Sequence, residues 1–264
     1  MNLKLENKTA LVTGSTAGIG FAIARSLAAE GARVIVNSRT EARVSEAIAT
    51  IRRSHPNAKL ESCVADLANA EAAIDAARQF SSIDILVNNL GVYEPKPFEQ
   101  ISDDDWRAII EVNFMSGVRL SRHYLPRMKA GNWGRIIFIS SESAINIPVE
   151  MIHYGVTKTM QAALARGLAE TTAGTAVTVN SVLAGPTRSE GVEKFLIDMA
   201  KAKNVTPAEI EKEFFRTTRP SSLLQRFATT DEVAALVTFL ASPLSSATNG
   251  AALRVDGGVL RSIF

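Results

Sequence analysis

Three side chains in the middle of this 264-residue chain have the types and spacing to pass a proton. Ser141 ends the apolar run Gly134 to Ser140 (GRIIFIS), and Tyr154 and Lys158 follow within HYGVTK. Tyr154 and Lys158 are four positions apart, which puts both on one face of a helix. A phenol titrates near about 10, so alone it is a poor acid or base at neutral pH. An ammonium held beside it favours the phenolate and brings proton exchange toward the working range. Ser141 would then hold the oxygen that gains or loses the proton. A Tyr/Lys pair at this spacing is also an ordinary helix pair, so the reading depends on what surrounds it.

What surrounds it is a set of strands that end in turn-forming residues. Thr9 to Thr13 (TALVT) reads as a strand, GSTAGIG follows at once, and FAIARSLAAEG reads as a helix stopped by Gly31. Strand, glycine turn and helix form the context of a dinucleotide-binding turn. Gly14 lets the chain leave the strand sharply, Gly18 lets backbone approach a pyrophosphate, and Gly20 lets the helix pack on the sheet. The helix N-terminus offers its unpaired N–H groups to the anion. The spacing is G-x-x-x-G-x-G.

The second strand, Ala32 to Asn37, leads into Ser38 and Arg39, where an acidic residue would hold the ribose hydroxyls of NAD. A hydroxyl and a guanidinium instead suit a 2′-phosphate, so NADP(H) is favoured, with NAD(H) as the alternative. Thr40 is placed to cap the next helix. The third strand, Lys59 to Val64, ends at Asp66, which could accept from an adenine amine or cap the helix beginning near Asn69. Ile83 to Val87 leads into Asn88-Asn89-Leu90-Gly91, a turn stitched by side-chain amides close to a ligand. Ser102 with three aspartates opens a helix that carries Asn113 among apolar neighbours. A buried amide there is a structural hydrogen-bonder or part of a polar relay.

Ala176 to Val182 and Ala252 to Val255 complete the strands. Residues 188–225 change to charged helical segments, with a capping box at Thr206-Pro207-Ala208-Glu209. Inserted after a strand's carboxyl end, this segment is a candidate substrate lid. Ile145, Ile147, Met151, Phe195 and Phe214 could form an apolar pocket or belong to the core.

Composition bounds the class. Hydrophobic residues are 46% and charged residues 21%, enough for a sizeable core, and no linker or repeat divides the chain. The net charge is +2 with no basic block, which argues against nucleic acid as a partner. Apolar runs are too short for a bilayer, and a strand starts too early for a signal peptide, so a soluble cytoplasmic protein is expected. The single cysteine, Cys63, excludes an internal disulfide and reads as a buried strand thiol. The three histidines lack metal-ligand spacing, so no metal is expected, and His153 reads as a packing or rim residue.

Taken together, Thr13-Gly14-x-x-x-Gly18-x-Gly20, Asp66, Asn88-Asn89-x-Gly91, Asn113, Ser141, Tyr154-x-x-x-Lys158, Asn180 and Asp256-Gly257-Gly258 resemble the short-chain dehydrogenase/reductase family over essentially the whole chain. Ser141 stands thirteen positions before Tyr154, the gap usual in that family. The resemblance implies an α/β fold, a single-domain Rossmann-like, doubly wound parallel sheet with helices on both faces, commonly assembled as a homotetramer or dimer. It implies Tyr154 as acid/base, Lys158 tuning it and holding the nicotinamide ribose, Ser141 polarising the substrate oxygen and Asn113 holding a relay water. It further implies cofactor contacts from Gly14, Ser15, Thr16, Gly18, Ile19, Gly20, Asp66, Leu67, Asn89, Leu90, Gly91, Gly185 and Thr187. Leu90 and Ala184 depart from the alanine and proline usual at those positions. The implied activity is hydride transfer between NADP(H) and a small-molecule carbonyl or secondary alcohol, in a layout similar to 3-oxoacyl-carrier-protein reductases. An NAD-dependent alcohol or sugar dehydrogenase and a catalytically silent nucleotide-binding scaffold are the alternatives.

Overall fold

Each apolar run of the sequence becomes a strand of one parallel sheet in the computed structural model, which describes residues 2–263. The strands are β1 (Thr9–Val12), β2 (Arg33–Ser38), β3 (Lys59–Val64), β4 (Ile85–Asn88), β5 (Gly134–Ser141), β6 (Val177–Ala184) and, last in the chain, β9 (Ala252–Val255). They lie in the order β3-β2-β1-β4-β5-β6-β9, all parallel, so chain order reverses between β1 and β4. In such a sheet the crevice outside the strands' carboxyl ends at the reversal is the ligand site. β5 and β6 are buried along their whole length, as expected of strands covered on both faces.

Helices α1 (Gly18–Ala29), α2 (Glu41–Ser54) and α9 (Thr230–Ala241) cover one face, burying Ile23, Leu27, Val44, Ile51, Val237 and Leu240 against the strands. Helices α3 (Ala70–Gln79), α5 (Ser116–Ala130) and α6 (Ile152–Glu170) cover the other through Ala73, Leu120, Tyr124, Met128 and Ala165. The single sheet with these two layers makes one domain. Cys63 is buried on β3 as expected.

Local differences from the sequence reading have local causes. Thr40 is the residue before α2, but its hydroxyl makes no cap bond. Asn69, rather than Asp66, caps α3 by accepting from Ala72 N–H at 3.0 Å. The helix expected from Ser102 through Asn113 is α4 (Asp103–Ile110), then a π turn (Glu111–Met115), then α5. Ser102 and Asp105 form a reciprocal capping box at its start.

Residues 188–225 form α7 (Glu190–Lys203) and α8 (Pro207–Thr217), the latter starting on the expected Thr206/Glu209 capping box. They share a small core of Leu196, Ala200, Ile210, Phe215 and Phe227. Phe214 stacks on Phe227 with centroids 5.0 Å apart, so it belongs to this core and not to a substrate pocket. The segment is tied at both ends. β7 (Thr187–Arg188) pairs with β8 (Ala228–Thr229), and Leu223 and Leu224 N–H groups donate to Gly257 O at 2.8 and 2.9 Å.

Candidate active site

At the end of β1 the chain must turn left-handed, and Gly14 and Gly18 take φ of +61° and +56°. The Asn88-Asn89 turn at the end of β4 locks onto this turn. Thr13 Oγ1 accepts from Asn89 N–H at 2.9 Å and Leu90 N–H at 2.8 Å, while Asn89 Nδ2 donates to Thr13 O and Gly14 O at 2.9 and 3.1 Å. Two adjacent strand ends are thereby fixed at the sheet's reversal point, as the amide-rich turn led us to expect.

A cavity of about 520 Å³ opens there, lined by Gly14, Gly18, Ile19, Gly20, Asn89, Leu90 and Gly91, and by Ser141, Tyr154, Lys158, Gly185 and Thr187. The aromatic hydroxyl and the glycine turn therefore face one cleft. A second cavity of about 270 Å³ shares Gly14, Leu90 and Gly91 with it and continues past Thr16, Ser38, Arg39, Asp66 and Leu67. Arg43, in the first turn of α2, lines both cavities and was missed in the sequence. The Asp66 carboxylate accepts from Ala68 N–H at 3.1 Å.

Ser15 does not reach either cavity. It is buried behind the turn, where its hydroxyl accepts from Asn37 N–H at 2.9 Å and its own N–H donates to Asn37 O at 2.9 Å. Its position in the glycine motif serves the β1–β2 connection, and it lines neither cavity.

Ser141 Oγ accepts from Ser143 N–H at 3.1 Å, and Ser141 stands close enough to the Tyr154 hydroxyl to favour its ionised form. The expected pairing of ammonium with phenol is not what the structure shows. Lys158 Nζ lies 5.5 Å from the Tyr154 ring centroid and donates to Ile139 O at 2.9 Å and Gln161 Oε1 at 3.2 Å. Burial pushes the phenol up to about 12, against the lowering effect of Ser141, with Glu142 and Tyr93 raising it further and Arg219 opposing them. Burial likewise brings the ammonium down to about 8. At neutral pH the site therefore holds a protonated phenol near a mostly charged lysine, an arrangement suited to giving a proton away.

Asn113 is buried in the π turn and its amide is fully used. Oδ1 accepts from Val92 N–H at 2.8 Å, and Nδ2 donates to Val92 O at 2.9 Å and Thr157 Oγ1 at 3.0 Å. Its carbonyl accepts from Gln161 Nε2 at 2.5 Å. The side chain clamps the Val92 loop beside the cleft.

Three further residues escaped the sequence reading, each with at least one partner distant in sequence. Arg219, from the segment after α8, donates from Nε to the buried Glu142 at 2.9 Å, tying that segment to the residue after Ser141. Burial raises Glu142 while Arg219 opposes the rise. Glu190, at the start of α7, accepts from Gly18 N–H at 2.8 Å. Gln161 joins Lys158 to Asn113. His153 packs edge-on to Trp106 with centroids 5.9 Å apart. Among the described residues, no cluster of His, Cys, Asp and Glu could hold a metal ion, and no helix is long and apolar enough to cross a membrane.

The donor set fits a dinucleotide. One backbone N–H at the start of α1, that of Gly18, already binds an anionic oxygen from Glu190, and two arginines line the far cavity. A sheet of this topology, with that cleft ending on serine, tyrosine and lysine, is that of an NAD(P)-dependent oxidoreductase. The family described as Enoyl-(Acyl carrier protein) reductase matches residues 14–260. The chain is 51% identical over its full length to the whole of an uncharacterized oxidoreductase, YvaG, of Bacillus subtilis (strain 168). It is 32% identical, over 98% of this chain and 100% of the other, to 3-oxoacyl-[acyl-carrier-protein] reductase FabG of Aquifex aeolicus (strain VF5). L-Sorbose reductase from Gluconobacter frateurii, solved with NADPH and L-sorbose, superposes with a TM-score of 0.94 at 27% identity, each chain covered completely. The chain belongs to the short-chain dehydrogenase/reductase family.

Proposed function

We propose that this protein is an NADP(H)-dependent reductase of a small carbonyl compound, with Tyr154 as the proton donor, running in reverse as a secondary-alcohol dehydrogenase. The observation that carries this reading is the single cleft shared by the glycine turn, Ser141, Tyr154 and Lys158. When bound, the nicotinamide supplies or accepts the hydride. Ser141 holds the substrate oxygen, Tyr154 gives it a proton, and Lys158 stabilises the phenolate left behind. Assaying NADPH oxidation with ketones, 3-oxoacyl thioesters, steroids and sugars tests the proposal. Tight NADPH binding with no turnover on any of them would favour a silent scaffold instead.

NADP(H) preference rests on Arg39 and Arg43 at the end of the second cavity, together with the NADPH bound by the sorbose reductase. Arg39→Ala should weaken NADPH binding by roughly tenfold, the scale of one charge-assisted hydrogen bond, and leave NADH binding unchanged. Fluorescence titration with both nucleotides measures this, and tighter NADH than NADPH binding in the parent protein would make it an NAD-dependent enzyme.

Glu190 occupies the N–H group of Gly18 that a pyrophosphate would use. The dinucleotide has to displace this carboxylate and with it the start of α7, which gives the 188–225 segment its role as a lid. Glu190→Gln should tighten NADPH binding by about two- to fivefold, the worth of one charge at a helix N-terminus, with a smaller gain at high salt. The same titration reads it; weaker binding would count against a competing carboxylate.

Val92, Tyr93 and Val192 line the cleft, which favours substrates with an apolar portion. Tyr93 and Phe98 from one loop and Ile145 and Val149 from another are exposed large apolar side chains, and the two loops are joined where Lys96 N–H donates to Glu150 O at 2.9 Å. The groove between α5 and α6, lined by Val118, Leu125, Leu164 and Leu168, supports a homo-oligomer, which sedimentation would measure. The balanced charge supports a cytoplasmic protein without a nucleic-acid partner.

A further inference from the structure

Lys158 is held by an uncommon means, and the inference drawn from it rests on the chemistry proposed above for Tyr154 and Lys158. Lys158 is 5% exposed, and two of its ammonium's three N–H donors are engaged by Ile139 O and Gln161 Oε1. Gln161, on the same helix and 2% exposed, reaches with Nε2 to the Asn113 carbonyl at 2.5 Å. That carbonyl belongs to a π turn, a local widening of a helix that is frequent at functional sites. The amide's polarity is fixed from both ends. A carbonyl requires a donor and an ammonium requires an acceptor, so Nε2 faces Asn113 and Oε1 faces Lys158. We infer that Gln161 is a positioning residue of the proton-transfer site: its amide bridges the π turn to Lys158 and keeps the lysine cationic and aimed at the cleft beside Tyr154.

The surroundings leave Gln161 as the side chain able to do this. Ile139 contributes a neutral carbonyl from β5, and Gly91 borders Nζ from the loop after β4 without a side chain. From the π turn, Asn113 is neutral and its Oδ1 is committed to Val92, while Glu111 pairs with Arg119 at 2.6 Å. Beyond β5, Glu142 pairs with Arg219. On α6 the titratable neighbour is Tyr154. Burial pulls Lys158 toward the neutral form, with no carboxylate paired to it, so an oriented amide dipole is what favours the charge.

The test replaces Gln161 by methionine, of similar reach but without an acceptor, and by glutamate, an acceptor of greater strength. The Lys158 titration is followed in the cofactor-free protein by carbon NMR of ε-labelled lysine, assigned with Lys158→Arg. Gln161→Met should lower the proton affinity of Lys158 by about tenfold or more, the worth of one hydrogen bond to a charged group, and Gln161→Glu should raise it. In the active enzyme the alkaline limb of the kcat/KM profile for carbonyl reduction should move in the same two directions. Both substitutions shifting Lys158 the same way, or neither shifting it, would overturn the inference, since a purely structural role predicts loss of activity with an unmoved profile. If methionine prevents folding, the glutamate variant alone decides by the direction of its shift. An inactive parent protein would defeat the proposed reaction, while the NMR titration would still judge Gln161.

Discussion

Tyr154→Phe should lower the rate of carbonyl reduction by about 10³-fold while the protein folds and binds NADPH normally, because a positioned general acid contributes on the order of 10²–10⁴. The hydroxyl is the only part removed, and its neighbour Ser141 keeps its bond from Ser143 N–H, so the fold loses one buried polar contact and no packing. Steady-state rates alongside NADPH titration and a thermal melt separate the two effects; retained turnover would take Tyr154 out of its role. The parent enzyme's pH profile follows from the same site. Tyr154, raised to about 12, stays protonated through the accessible range. Lys158, brought down to about 8, loses its charge as pH rises through that value. Reduction should therefore hold steady below about 8 and decline above it. Alcohol oxidation, which needs the phenol deprotonated, should instead gain from rising pH.

The second large effect is expected at Gly185, where β6 leaves the sheet under the lid. Its N–H donates to Val255 O at 2.9 Å, and a Cβ added there would lie 2.6 Å from Asp256 Cα and from Asp256 O. These are backbone atoms. Asp256 cannot retreat, because its carboxylate accepts from Gly258 N–H and Leu260 N–H at 3.0 Å each. Gly185→Ala should cost about 3 kcal/mol, the upper part of the range for overpacking a dense region, and lower Tm by roughly 6–12 °C. The cleft wall formed by Gly185 and Thr187 would move with it, so NADPH binding should weaken too. Gly167→Ala, on an open face of α6 with nothing within 4 Å of the added carbon, is the control and should leave Tm unchanged or slightly raised. A melt of Gly185→Ala that matches this control would show the strand end to be far more pliable than its contacts imply.

How much of the site could be read in advance depended on the distance between partners. Gly14, Gly18 and the Tyr154/Lys158 spacing were legible because a strand end, a tight turn and a helical face are local properties. The Thr206 capping box was legible for the same reason. Arg43 was not, because Arg39 lies before the cap of α2 and no helical period links the two. Ser15 misled because its place in a glycine motif says nothing of which way its hydroxyl turns; it faces Asn37, not the cleft. The partners of Glu190 and Arg219 lie 172 and 77 positions away, and no pattern in the residues around them names a partner at such range.

The residue order alone determined a parallel sheet with glycine turns at its carboxyl edge, and a serine, a tyrosine and a lysine placed to meet there. Local spacing suffices for that, since helical and extended periods fix which side chains share a face. Only the tertiary structure decided how the lysine is used: buried, bound to Ile139 O and Gln161, and 5.5 Å from the ring centre of the phenol it had been expected to acidify. The reason is physical. A side chain's proton affinity depends on how much water the whole fold removes from it and which dipoles replace that water, and neither is written in the neighbouring residues.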